Sequence, residues 1–108
     1  MRACLFALLL VTAPAHAEFM DGNKLLATCK SSVPIDMADC FGYTTGVFDA
    51  LSNALICSPD GVTRGQVRDI VVAYLQSRPE ERHKTADVLI GNVLSALWPC
   101  KRPTGRGA

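Results

Sequence analysis

Few side chains in this chain could do chemistry. Cysteines stand at positions 4, 29, 40, 57 and 100, histidines at 16 and 83, and adjacent carboxylates at Glu80 and Glu81. A thiol can serve as a nucleophile, a metal ligand or half of a disulfide. The stretch Cys57-Ser58-Pro59-Asp60-Gly61-Val62-Thr63-Arg64-Gly65-Gln66 poses that choice, because its cysteine leads into a turn and then a helix start. The compartment decides between the three, since exported thiols oxidise to disulfides and cytosolic ones stay reduced.

The first residues name the compartment. Arg2 precedes an apolar run from Cys4 to Val11, and Ala13-Pro14-Ala15-His16-Ala17 has the small-x-small pattern of a signal-peptidase site. Residues 1–17 are therefore predicted to be a signal peptide, residues 18–102 a mature domain and residues 103–108 a flexible tail. The apolar run is shorter than the roughly 20 residues that span a bilayer, and no later stretch reads as a stop-transfer segment, so no membrane contact is expected after cleavage. Cys4 lacks the surroundings of a lipoprotein site and leaves with the leader. Arg2 leaves too, and the formal balance of 11 Lys and Arg against 10 Asp and Glu becomes zero. A neutral domain is a poor partner for nucleic acid or anionic lipid, both of which select a clustered positive excess.

Catalysis finds little to work with. His83 sits in Glu80-Glu81-Arg82-His83-Lys84, a run of charges that reads as a solvated helix face. Glu80 and Glu81 are sequential, about 100° apart on a helix, and so do not converge as an acid–base pair would. There is no C-x-x-C pair for zinc or dithiol chemistry and no glycine-rich phosphate loop. The expectation is a protein with no catalytic residue, no metal and no cofactor.

The elements that carry these residues all read as helices, marked by a cap, an apolar stripe at 3.6 spacing and a breaker. The first runs from about Asp21 to Lys30 with Leu25, Leu26 and Cys29 on one face, and Ser31-Ser32-Val33-Pro34 ends it. The second is predicted from Asp36, as its cap, to about Ile56, with Cys40, Tyr43, Thr44, Val47, Phe48, Leu51, Ala54 and Leu55 as its stripe. Gly42 and Gly46 would give it a flat patch for close helix contact, since interior glycines cost about 1 kcal/mol each without a packing reason. Thr63 and Gln66 form a capping box for a third helix whose Val67, Ile70, Val71, Tyr74 and Leu75 face the core, while Arg64, Arg68, Asp69 and Gln76 face water. Pro79-Glu80-Glu81 reads as the first turn of a fourth, which directs Ala86, Leu89, Ile90, Val93, Leu94 and Leu97 inward and stops at Trp98-Pro99-Cys100. No strand-like alternation competes. The fold class is all-α, a small bundle of four or at most five helices.

Four mature cysteines, Cys29, Cys40, Cys57 and Cys100, make an even count in a small exported domain and read as two disulfides. Cys40 and Cys57 bracket one predicted helix of 17 positions, which sets them about 25 Å apart and excludes that bridge. Two pairings remain. An up-down bundle makes Cys29 a neighbour of Cys40 and Cys57 a neighbour of Cys100, so Cys57 is expected to be a staple.

The motifs that now stand together are Cys40-Phe41-Gly42-Tyr43-Thr44-Thr45-Gly46-Val47-Phe48-Asp49-Ala50-Leu51, Cys57-Ser58-Pro59 with Gly61-Val62-Thr63 and Gln66, Pro79-Glu80 with Arg82, and Trp98-Pro99-Cys100. In this combination, over about residues 19–100, the chain resembles the Rap/Tai family of type VI secretion immunity proteins. The resemblance implies a small exported all-helical protein of the Gram-negative periplasm, often a homodimer. Its partner would be a secreted effector hydrolase such as a peptidoglycan amidase, which it binds and blocks. A periplasmic chaperone or stress-protective protein without a cognate toxin is the alternative, since small disulfide-stapled helical proteins also serve there.

For a partner surface, the sequence offers two loops tied by the expected bridges. Ser31 to Asp36 is closed by Cys29–Cys40, and Ser58 to Val62 is anchored at Cys57. The second is shorter and stiffened by proline, so Pro59, Asp60 and Gly61 are the expected binding residues, with the helix-three polar face at Arg64 and Arg68 beside them.

Overall fold

A computed structural model of the chain describes residues 19–101. The predicted signal peptide, Cys4 within it and the tail of residues 103–108 lie outside the described residues. Four helices follow in order: α1 (Gly22–Lys30), α2 (Pro34–Leu51), α3 (Arg64–Ser77) and α4 (Ala86–Leu97). The described residues contain helices and isolated bridges but no strand, which agrees with the all-α reading. The bridges Cys29–Cys40 and Cys57–Cys100 both form, as the up-down neighbour argument requires.

α1 starts where the Asp21 carboxylate accepts from the Lys24 amide at 2.8 Å, and Lys30 sits in its last turn, at the negative end of the helix dipole. α2 begins two residues before the expected Asp36. Pro34 takes the first helical turn, where its missing N–H costs nothing, and Val33 is the cap residue. Asp36 instead accepts a 2.7 Å hydrogen bond from the Ser31 hydroxyl, which also accepts from the Val33 amide at 3.1 Å. That small network fixes the α1–α2 turn inside the Cys29–Cys40 loop.

The largest departure from the sequence expectation is at the end of α2. The helix stops at Leu51, not near Ile56, because Asn53 adopts φ 64° and the amides of Ala54, Leu55 and Ile56 all turn back to the Leu51 carbonyl. Asparagine is among the few residues that enter the left-handed region at low cost. The fold gains from the stop. Ile56 rotates into the core at 1% exposure, and the Cys57 amide donates to the Trp98 carbonyl at 2.8 Å, aligning the two chains for the disulfide. Ala54 and Leu55, expected in the stripe, are exposed instead.

α3 has the predicted capping box. The Gln66 amide donates to the Thr63 hydroxyl at 3.2 Å, and the Thr63 amide donates to Gln66 Oε1 at 2.8 Å. Its stripe buries Val67, Val71 and Leu75 fully, with Ile70 and Tyr74 packed at the margin.

α4 starts at Ala86, not at Pro79. Residues 79–85 form turns that lie across the start of α1, where helix ends leave backbone amides without partners. The Gly22 amide donates to the Lys84 carbonyl and the Asn23 amide to the Arg82 carbonyl, both at 3.0 Å. The Ala86 amide donates to the Met20 carbonyl at 2.9 Å, so the bond to Arg82 that would extend α4 backwards is not made. Ala86, Leu89, Ile90 and Leu94 are each fully buried, whereas Leu97, the last expected stripe residue, is half exposed.

The core lies between the helices, built from Leu25 and Leu26 of α1, Ile56, the α3 valines with Leu75, and the α4 row. α2 contributes Thr44, whose hydroxyl is satisfied by the Cys40 carbonyl at 2.8 Å. The expected glycine contact is absent. A Cβ added at Gly42 or Gly46 would meet no heavy atom within 4 Å, and both glycines lie on the exposed face of α2. Close approach occurs at Gly22, where an added Cβ would lie 2.9 Å from the Arg82 backbone.

Candidate functional site

The turn between α2 and α3 is held at both ends. Cys57 is tied to Cys100 and hydrogen-bonded to Trp98, while Thr63 is locked in the capping box. Between them Pro59 fixes one backbone angle, and Gly61 sits at φ 84°, a conformation that other residues rarely adopt. Asp60 and Gly61 are exposed at the crest. A segment with so few free torsions has little entropy left to lose on binding.

Two clefts flank this ridge and share Val62 as a common wall. The first, of about 310 Å³, lies between α2 and α3 and is lined by Thr45, Phe48, Asp49, Val62, Arg64 and Val67. The second, of about 480 Å³, is lined by Pro59, Val62, Gln66, Asp69, Ile70 and Trp98. Trp98 reaches it because the Cys57–Cys100 bridge brings the end of α4 beside the turn, and its ring packs edge-on against Phe48 at 6.4 Å.

The five residues expected to bind a partner therefore do not act alike. Pro59 lines the second cleft, Arg64 lines the first, and Asp60 and Gly61 form the crest between. Arg68 departs from expectation. It is not a free solvated cation: its guanidinium stacks on the Phe41 ring at 4.6 Å, and both Nε and Nη2 donate to Asp69 Oδ1, at 2.9 and 2.7 Å. Arg64 lies over the same ring at 5.5 Å, so Phe41 orients both arginines.

Sequence reading missed Thr45, Phe48, Asp49, Gln66 and Trp98 as lining residues. Phe48 and Gln66 carried signals of another kind, as stripe and cap. Thr45 and Asp49 lie one turn apart on α2, a spacing visible in the sequence, but only the packing of α3 turns that flank into a cleft.

The fold and this surface define a class: a small all-α domain with two disulfides that presents an ordered ridge between two clefts. A family model for Rap1a immunity proteins matches residues 21–100, and the chain belongs to that family. No individual curated protein matches it. Membership makes the chain an immunity protein directed at a secreted effector, and its partner a protein.

Proposed function

We propose that the chain is a periplasmic immunity protein of the type VI secretion system and that it neutralises a peptidoglycan hydrolase, such as an amidase, by placing the ridge at residues 59–61 in the enzyme's active-site cleft. The observation that carries this reading is the crest itself, with Asp60 and Gly61 exposed on a turn locked from behind by Cys57–Cys100. A convex, pre-ordered segment is the shape complement of a hydrolase cleft, and rigidity raises affinity by lowering the cost of ordering. The side chains do this by occupying space and not by bond chemistry, so no enzymatic role is assigned.

Export belongs to the same reading. Residues 1–17 are removed as a signal peptide, residues 18–102 form the mature domain, and residues 103–108 trail from it. The two disulfides support an oxidising compartment, because a reducing cytosol would leave those thiols unpaired. Assembly as a homodimer also belongs to it and is tested by light scattering of the purified mature chain.

The test uses a secreted peptidoglycan hydrolase, identified as one that co-purifies with the mature chain. Purified chain should abolish its release of peptidoglycan fragments at near-equimolar ratio, and Asp60→Lys should weaken inhibition at least tenfold with little change in melting, because an exposed turn charge contributes little to folding. Full hydrolase activity in the presence of excess chain would overturn the proposal. Unchanged inhibition by Asp60→Lys would remove the ridge from it.

A further inference from the structure

The two disulfides stand in different surroundings. In the first, Cys40 is 1% exposed and Cys29 is half-buried against the core. In the second, Cys57 is exposed and Cys100 half-buried. Thiol–disulfide exchange begins when a thiolate attacks one sulfur, and its rate depends on access to that sulfur. The second bridge offers that access at Cys57. Its two ends are also aligned by contacts that do not need the sulfur bond: the Cys57 amide donates to the Trp98 carbonyl at 2.8 Å, Ile56 pairs with Pro99 in an antiparallel bridge, and the Ile56 side chain is anchored in the core. Cutting the bond therefore leaves the two cysteines as neighbours.

We infer that Cys57–Cys100 is a reversible thiol-exchange site whose substrate is a dithiol, and that Cys29–Cys40 is not. A thiolate of the dithiol attacks the Cys57 sulfur, the more exposed of the two, and the electron pair of the broken S–S bond leaves on Cys100, which takes a proton from water. The second thiolate of the dithiol then attacks its own sulfur in the mixed disulfide. Cys57 is released and protonated, and the dithiol departs as an internal disulfide, so that two electrons and two protons have passed to the chain. The effect falls on the turn at residues 58–62, which keeps the Thr63 cap at one end and loses its covalent tie at the other. The inference rests on the proposed reading only for the meaning of that loosening, which is weaker inhibition of the hydrolase by the reduced chain.

Dithiothreitol, a small dithiol, and reduced thioredoxin, a protein dithiol, serve as probes on the folded, oxidised mature chain. Free thiols are trapped by alkylation at intervals and located by peptide mass mapping. Cys57 and Cys100 should be labelled at least about tenfold faster than Cys29 and Cys40, whose bridge must wait for a local opening of the helices. In concentrated urea the two bridges should open at comparable rates, which assigns the difference to the fold. Glutathione, a monothiol with nothing to resolve its adduct, should be trapped on Cys57. Amide NMR of the selectively reduced chain should show changes in the turn at 58–62, and withdrawal of the dithiol in air should restore Cys57–Cys100 within one chain. Reduction by dithiothreitol alone would assign the site to small dithiols, and reduction by both probes to a protein dithiol. Equal rates for the two bridges in the folded chain, first labelling at Cys29, or glutathione trapped on Cys100 would overturn the inference, and an unchanged turn after reduction would overturn its control of the ridge. Because no effector is present, selective reduction alongside failed hydrolase inhibition would sink the immunity mechanism and leave the exchange site standing.

Discussion

Three of the five helical glycines, Gly22, Gly42 and Gly46, allow one substitution to be tested in opposite directions. At Gly22 a Cβ would fall 2.6 Å from Leu89 Cδ1 and 2.9 Å from both the Cα and the carbonyl oxygen of Arg82. The leucine methyl can rotate away, but the Arg82 backbone cannot. Carbon atoms pack at about 3.5–4.0 Å, so the loop must retreat by at least about 0.6 Å. That retreat strains two bonds already at 3.0 Å, from the Gly22 and Asn23 amides to the Lys84 and Arg82 carbonyls. Overpacking of this kind costs about 1–3 kcal/mol, more than alanine recovers through helix propensity, which is about 1 kcal/mol in a helix interior. Gly22 is the first residue of α1, where that gain is smaller, so Gly22→Ala should destabilise by about 0.5–2.5 kcal/mol net. At Gly42 and Gly46 an added Cβ meets nothing within 4 Å, so only the propensity acts. Gly42→Ala and Gly46→Ala should each stabilise by about 0.5–1 kcal/mol. Urea unfolding of the oxidised protein reads all three as shifts in midpoint at constant slope. A neutral Gly22→Ala would refute the close approach of the 79–85 loop to α1. A destabilised Gly42→Ala would mean that this face of α2 is covered in solution.

Further outcomes follow from the same contacts. Replacing Cys57 and Cys100 by serine opens a loop of sequence separation 43 and should cost about 4 kcal/mol, against about 3 for Cys29 and Cys40 with separation 11, and only the former should also impair hydrolase inhibition; denaturant midpoints and the inhibition assay read both. Leu89→Ala, at a fully buried site, should lose about 2–5 kcal/mol, while Arg68→Ala should lose about 0.5–1 kcal/mol through its stacking on Phe41; equal losses would contradict the burial pattern. The Tyr43 phenol is held above its ordinary range by burial and by the Asp87 charge, so the neutral form is favoured in the folded state. Its contribution is present below the unfolded value of about 10 and is lost as pH rises through the folded value, so alkaline destabilisation should be smaller in Tyr43→Phe, measured as the urea midpoint at pH 9 and 11.

Those parts of the fold governed by neighbours in sequence were legible. The capping box at Thr63 and Gln66 needs only a spacing of three, and the α3 row of Val67, Val71 and Leu75 needs only the helical period. The staples were legible too: helix length spoke against Cys40–Cys57, and the up-down neighbour argument chose Cys29–Cys40 with Cys57–Cys100. What failed was any boundary decided by a distant partner. Leu51, Ala54 and Leu55 continue the α2 period, yet the chain turns at Asn53 because Ile56 finds the core and Cys57 pairs with Trp98. Pro79-Glu80-Glu81 carries good start signals, yet the Ala86 amide donates to the Met20 carbonyl, and the carbonyls of Arg82 and Lys84 accept from the amide end of α1. In both places a local preference worth tenths of a kcal/mol to about 1 met a tertiary hydrogen bond or buried side chain worth as much or more.

The candidate site divides along the same line. Its crest was readable, since Pro59, Asp60 and Gly61 are turn residues whose order sets their backbone, and the tie at Cys57 follows from the cysteine argument. Its walls were not, because each cleft is made by elements far apart in sequence: Thr45 and Asp49 meet Arg64 only when α2 and α3 pack, and Trp98 meets Gln66 only when the bridge to Cys57 closes. Gln66 shows why composition cannot separate scaffold from surface. Its Oε1 completes the α3 cap at 2.8 Å, while its side chain also lines the second cleft. Phe41 does both as well, lying on the α2 scaffold while orienting Arg64 and Arg68. Residues with two roles couple the stability of the turn to the shape of the surface beside it. A partner that reads this surface thus reads the cap and the disulfide indirectly, through a ridge that stays in place only while both are intact.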